Sequence, residues 1–179
     1  PFYNSQNNCN AIIETETNTL IAGCENTIIP ATVTSIGSSA FMNCSGLYNI
    51  GIPNNVTSMG LFSFLGCAGL TSITFPESFT SIGDRTFMGC SNIDTIVCLS
   101  VTPPSVYNND SFENYDATVI VPWSGHKDYV NAPCWRDFKN IISYNYDNSS
   151  FVIINGICYK YGADTAYVIS NGNNFYSGD

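Results

Sequence analysis

Residues 29–47 read Ile29-Pro30-Ala31-Thr32-Val33-Thr34-Ser35-Ile36-Gly37-Ser38-Ser39-Ala40-Phe41-Met42-Asn43-Cys44-Ser45-Gly46-Leu47, and the pattern returns twice more at an offset of 23. Pro30, Pro53 and Pro76 share one column, and Phe41, Phe64 and Phe87 another. Five further columns are invariant: Thr34, Thr57, Thr80; Ser35, Ser58, Ser81; Gly37, Gly60, Gly83; Cys44, Cys67, Cys90; and Ile50, Ile73, Ile96. Apolar character recurs with changing identity at Val33, Val56, Phe79; at Ile36, Met59, Ile82; at Leu47, Leu70, Ile93; and at Ile52, Phe75, Cys98. Ile50 to Ile52 alternates apolar, small, apolar, as a strand with one buried face does. The proline that follows has no N–H and ends the ladder. The spacing therefore predicts one short strand per repeat and a turn permitted by Gly37, Gly60 and Gly83. The phenylalanines then stack as an internal spine beside the small Ala40, Ser63 and Thr86. One coil cannot bury its own apolar edge, so neighbouring coils must cover it, stacking roughly 4.8 Å apart.

A period of this length falls within the range of leucine-rich repeats. The string Ile-Pro-x-x-Val-Thr-Ser-Ile-Gly-x-x-Ala-Phe-x-x-Cys-x-x-Leu resembles the BspA-type leucine-rich repeat of bacterial surface proteins, closely over residues 25–98 and more loosely in the flanks. Met59 for Ile, Phe79 for Val, Ser63 and Thr86 for Ala, and Ile93 for Leu depart from it, changing packing volume without adding charge. The expected fold is a β-rich leucine-rich-repeat solenoid, a right-handed coil of 23-residue repeats with a short C-terminal helical cap and a terminal β-meander.

The flanks divide the chain further. Residues 1–24 read as a partial N-terminal variant repeat, with strands at Ala11–Glu14 and Thr19–Ala22 around a polar turn through Thr17 and Asn18. It resembles the family's hairpin-containing variant, and the array is expected to begin partway through. The solenoid is expected over 25–122: the period breaks at Thr102-Pro103-Pro104, resumes with Phe112 and Tyr115, and gives a last strand at Thr118 to Val121. A cap over 123–142 follows, in which Ser124 caps a helix running to about Asn131, and Trp135, Phe138 and Ile141 close the core. This stretch resembles the family's C-terminal cap, with Cys134 where a small residue such as Gly is expected. Residues 143–179 read as a linker to Ser150 and then the start of a second β module. That meander runs through Phe151 to Ile154, Ile157 to Tyr161 and Thr165 to Ile169. The chain ends before another Ile-Pro step, so an excised or proteolytically trimmed fragment with an exposed sheet edge is expected.

Charged residues are only 11% of the chain, against about a quarter in an ordinary domain, while there are 22 asparagines. The surface is thus polar and mostly uncharged. Net charge is −9 and no basic cluster exists, which argues against nucleic acid and anionic membrane as partners. No apolar run approaches the roughly 20 residues of a spanning helix, so direct membrane insertion is not expected. The opening Pro1-Phe2-Tyr3-Asn4 is no secretory leader, and any export signal is expected to lie outside this chain.

Eight cysteines in a secreted chain ordinarily mean disulfides. Cys44, Cys67 and Cys90, however, share a column with parallel side-chain directions, and three in a row cannot all pair. They read as buried thiols acting as small hydrophobes. The same reading is favoured for Cys9, Cys24, Cys98, Cys134 and Cys158. No Cys-x-x-Cys pair points to zinc. His126 is the only histidine, and its ordinary reading is a solvent-facing residue near the start of the cap helix. Glu14 with Glu16, and Asp110, Glu113 and Asp116, could serve a glycosidase. They lack calcium-loop spacing, and they read as solvated acids on turns and hairpin faces. Four acceptor patterns for glycosylation, at Asn43, Asn55, Asn109 and Asn148, carry little weight in a chain so rich in Asn, Ser and Thr.

No catalysis, metal or cofactor is expected. Repeat solenoids usually bind along one sheet face, which places the candidate residues at Tyr48, Asn49 and Gly51; at Thr71, Ser72 and Thr74; and at Asp94, Thr95 and Val97. Tyr48 is the leading candidate, because an exposed aromatic can anchor an interface. The resemblance implies an extracellular or cell-surface adhesion module. Its partner would be protein (host matrix, plasma or other cell-surface proteins) or a glycan. The alternatives are a passive spacer in a larger surface protein and an enzyme fragment dependent on His126.

Overall fold

The computed structural model describes residues 3–4, 9–144, 151–154, 157–161 and 166–171. Strands β1 (Tyr3–Asn4), β2 (Ile12–Glu14) and β3 (Thr19–Ala22) pair antiparallel in sequence order. From β3 onward the pairing turns parallel and the chain coils. The strands that follow are β4 (Ser35–Ile36), β5 (Ser58–Met59), β6 (Ser72–Phe75), β7 (Ser81–Ile82), β8 (Thr95–Cys98), β9 (Ser105–Val106) and β10 (Thr118–Pro122). Helix α1 (His126–Tyr129) and strand β11 (Asn140–Tyr144) complete the stack. Strands β12 (Phe151–Ile154), β13 (Ile157–Tyr161) and β14 (Ala166–Asn171) form an antiparallel meander, as expected.

The expectation of one strand per repeat needs correction, because the coils build two ladders. One sheet runs β1-β2-β3-β4-β5-β7-β9 and the other β11-β10-β8-β6. The first ladder comes from the Thr-Ser-Ile columns, where Ser35 pairs with Ser58 and Ser58 with Ser81. Two-residue strands are too short to show an alternating pattern, so their signal was the invariant column itself. The stretch that suggested strands, Ile50 to Ile52, is not one. Gly51 weakens it, and β6, one coil later, is the edge of its sheet.

Side-chain donors fasten each coil to the one before. Thr57 Oγ1 donates to Thr34 O at 3.3 Å, Thr80 Oγ1 to Thr57 O at 3.0 Å and Ser105 Oγ to Thr80 O at 3.2 Å. On the opposite flank Asn92 Nδ2 donates to Ala68 O at 2.7 Å and Asn114 Nδ2 to Ile93 O at 2.9 Å. A third rail uses backbone alone: the N–H groups of Phe41, Phe64 and Phe87 donate to Ser63, Thr86 and Ser111 O at 2.7, 3.0 and 2.8 Å. Buried backbone polarity is thereby met on three sides.

Inside runs the phenylalanine spine. Phe41, Phe64, Phe87 and Phe112 stack with centroids 4.9, 5.5 and 5.5 Å apart and planes within 13°. Each buried ring contributes roughly 1.5–3 kcal/mol by desolvation. Trp135 and Phe138 then close the spine against Phe112, at 5.5 and 5.1 Å, and Ile141 packs against the core's edge.

Turns do open at Gly37 and Gly60, closed by Ala40 N to Gly37 O and Ser63 N to Gly60 O at 3.3 and 3.4 Å, but with no positive φ at Gly37, Gly60 or Gly83 what these glycines supply is close approach. A Cβ on Gly60 would come within 2.6 Å of Ser38 N, and one on Gly83 within 2.6 Å of Gly60 C. The left-handed turn positions are Ser39, Phe62 and Arg85 in one column and Asn43, Gly66 and Gly89 in another. In the cap, Ser124 does not act as an N-cap. It lies inside a 3-10 turn at Trp123–Gly125, and α1 begins after Gly125 with no side-chain cap. Pro122 sets the backbone there, and Gly125 packs onto the Val101 backbone where no side chain fits. Cys134, which stands where a small residue such as Gly is expected, takes a left-handed φ of 66°. Strand β11 runs across position 142, where the cap was expected to give way to linker, and pairs with β10 from Asn140 to Tyr144.

Candidate functional site

The outward positions of the second sheet follow from its register. Ser72 pairs with Thr95 and Thr95 with Thr118; Thr74 pairs with Val97 and Val97 with Ile120. Their inward neighbours Ile73, Ile96 and Val119 are buried, so these two rows face away from the core. Ahead of the strands lies a third row, in which Thr71 N donates to Tyr48 O at 3.4 Å and Asp94 N to Thr71 O at 3.0 Å.

Of the candidate residues, Tyr48, Asn49, Gly51, Thr71, Thr74 and Asp94 are exposed, whereas Ser72, Thr95 and Val97 are half-buried. Tyr48 stands out at 70% exposure. Asn49 and Gly51 lie on the coil before β6 and outside the sheet. Thr118, Ile120, Asn140 and Ile142 extend the same two rows and were missed. Their signal, the strand at Thr118 to Val121, was visible, but the period breaks before it and obscures its register. Along the second row the chemistry drifts from Thr74 through Val97 to Ile120 and Ile142, from polar to apolar.

The cysteine column behaves as small, weakly donating side chains. Cys67 Sγ donates to Phe41 O at 3.0 Å and Cys90 Sγ to Phe64 O at 3.1 Å, each reaching the preceding coil. All seven cysteines whose side chains are described are free thiols. Burial pushes the Cys98 thiol up to about 12, and burial likewise raises Cys134. Neither of these two is held in the thiolate form that nucleophilic chemistry needs, whereas hydrogen bonding with Cys90 draws Cys67 downward. Cys158 lies in β13, outside the described side chains.

The acids that could have formed a pair are parcelled out to separate partners. Glu14 accepts from Thr17 Oγ1 at 2.5 Å, Glu113 from Gly89 N at 3.3 Å, and Asp116 pairs with Lys139. Asp110 lies 3.9 Å from Arg85 Nε. Among the described residues no group of three metal-ligating side chains converges. Two acceptor asparagines are also engaged, Asn55 Nδ2 with Ala31 O at 2.6 Å and Asn109 Nδ2 with Asp137 Oδ2 at 2.9 Å. Residue 148 lies outside the described residues. His126 opens α1, half-buried, with its ring Nδ1 unpartnered among the described residues.

Among the described residues no helix is long and apolar enough to cross a membrane. The chain matches no curated protein. Among solved structures it is similar to a leucine rich cell surface protein from Faecalibacterium prausnitzii A2-165, at 17% identity and a TM-score of 0.33. The match covers 91% of this chain and 59% of that one. The family profile described as BspA type Leucine rich repeat region matches residues 12–141 in six copies. With that match spanning the coils, their ladders and the cap, the chain belongs to the BspA-type leucine-rich repeat family.

Proposed function

We propose that this chain is an adhesion module of an extracellular or cell-surface protein, a right-handed coil of 23-residue repeats that binds a protein partner across the outward face of β6, β8 and β10. One observation supports the face: Tyr48, Thr71 and Asp94 stand exposed in one row, hydrogen-bonded coil to coil, so a partner meets a fixed surface. A fixed backbone leaves only side chains to order on binding, and Tyr48 supplies the aromatic anchor that such surfaces favour.

The test is a binding screen of the purified chain against matrix and plasma proteins, with a charge-matched acidic protein as control. A saturable partner is expected, with affinity falling roughly thirtyfold in the Tyr48→Ala, Asp94→Ala double variant, the size of a hot-spot loss. Binding that survives both changes rules out this face. Absence of any partner leaves the spacer reading, which the interchangeable coils favour: their invariant columns let one replace another.

A further inference from the structure

A concavity lies beside the other sheet, just past the ends of β5, β7 and β9. It is an open cleft of about 340 Å³ lined by Leu61, Gly83, Asp84 and Tyr107. Tyr107 follows β9 directly, and its backbone is tied down by an N–H bond to Ile82 O at 3.1 Å. Its ring remains 75% exposed. Asp84 is held from two sides: Asn108 Nδ2 donates to Oδ1 at 2.7 Å, and Arg85 Nη1 lies 3.5 Å from Oδ2. The cleft thus sets one immobilised carboxylate beside an aromatic platform and the exposed Leu61, a few placed polar groups on an apolar wall.

The charge and backbone around it narrow the guest. A cation would have to displace Arg85, whose guanidinium already compensates Asp84 and reaches toward Asp110. An anion would face both aspartates. An extended peptide finds no open ladder, because Gly60 N and Gly83 N are bonded to Ile36 O and Met59 O at 2.8 and 2.9 Å, and Gly83 O accepts from Thr86 and Ser111 hydroxyls. A wholly apolar guest would desolvate Asp84 and return no donor. What remains is a neutral molecule with one C–H face and several hydroxyl donors. The slightly positive C–H face of a sugar ring complements the negative face of tyrosine's π system.

We infer that this cleft is a glycan subsite, in which one neutral pyranose ring lies on Tyr107 and Leu61 and donates hydroxyl hydrogen bonds to Asp84. It sits beside the sheet that does not carry the proposed protein-binding face, so either can fail without the other.

The experiment is affinity electrophoresis of the whole chain in gels containing dextran, galactomannan or xyloglucan, three soluble neutral polysaccharides. Retardation by at least one is expected, surviving high salt because no ionic contact is involved. Tyr107→Ala should weaken it by roughly tenfold or more, Tyr107→Trp should keep it, and the Tyr48→Ala, Asp94→Ala variant should migrate like wild type. Circular dichroism checks that each variant is folded, which the exposure of Tyr107 favours. No retardation by any of the three polysaccharides overturns the inference. So does retardation unchanged in Tyr107→Ala, or retardation competed away by a lysine-rich peptide.

Discussion

Ser63 occupies the column that holds Ala40 one coil earlier and Thr86 one coil later, and it is fully buried. Thr86 Oγ1 donates to Gly60 O and Gly83 O at 3.2 and 2.9 Å, but Ser63 Oγ has no partner among the described residues. A buried hydroxyl left unpaired costs about 1–3 kcal/mol. Ser63→Ala is therefore expected to stabilise the chain by about 1 kcal/mol, read as a rise in urea midpoint at unchanged slope. Cys98 makes a pH-dependent contribution. Its ordinary value of 9.0 is raised to about 12 by complete burial, so below pH 9 the folded and unfolded states both keep the proton. Above it the unfolded chain ionises first, and stability drains away until about pH 12, at roughly 1.4 kcal/mol per pH unit from this group. Urea titrations under reductant at about pH 8 and about pH 10.5 should show that loss, and Cys98→Val should lessen it. At this scale the sequence revealed which residues recur but not always why. The glycine column was plain, yet its reason, backbone packed on backbone, depends on coil spacing that no single residue encodes. Tyr107 and Asp84 went unread because they meet only when adjacent coils stack.

At the scale of elements, the spine and the two ladders divide the labour. Phe64 is stacked on both sides, by Phe41 and Phe87, whereas Phe41 has a stacked partner in Phe64 alone among the described aromatic pairs. Both are fully buried. Phe64→Ala is expected to cost about 3–5 kcal/mol and to exceed Phe41→Ala by about 1 kcal/mol, the worth of the extra ring pair. Chemical denaturation of the two variants side by side checks the order. The N-terminal hairpin and the terminal meander were legible because each rests on a pattern within one segment, and the spine because a bulky aromatic returns at Phe41, Phe64 and Phe87. The first ladder was not. A two-residue strand such as Ser35–Ile36 has no period, and only its repetition at Ser58 and Ser81 marks it.

For the whole molecule, equivalent columns mean that one coil can be excised without disturbing register. Deleting residues 54–76 joins Pro53 to Glu77, which brings Ser35 to Ser81, Phe41 to Phe87 and Cys44 to Cys90. In a quasi-one-dimensional array, stability is close to a sum over coils and their interfaces. The shortened chain should therefore fold with native-like circular dichroism, unfold cooperatively and lose part of its thermal stability. An unfolded product would mean that the coils are not interchangeable. The same deletion removes Thr71, Ser72 and Thr74 while keeping Tyr48 and Asp94, so it also tests whether the proposed protein face needs its middle row.

The side-chain fastenings between coils share a direction, opposite to that of the backbone rail at Phe41, Phe64 and Phe87. Thr57, Cys67, Asn92 and Ser105 each donate from a later coil to a carbonyl of the one before. The stack is therefore chemically polar, like a ratchet. A chain delivered N-terminus first finds carbonyls already in place for the side-chain donors of each emerging coil, while waiting N–H groups on the phenylalanine rail receive that coil's own carbonyls. Growth from that end can lock one coil at a time, and no emerging coil has to wait for the rest of the protein to arrive.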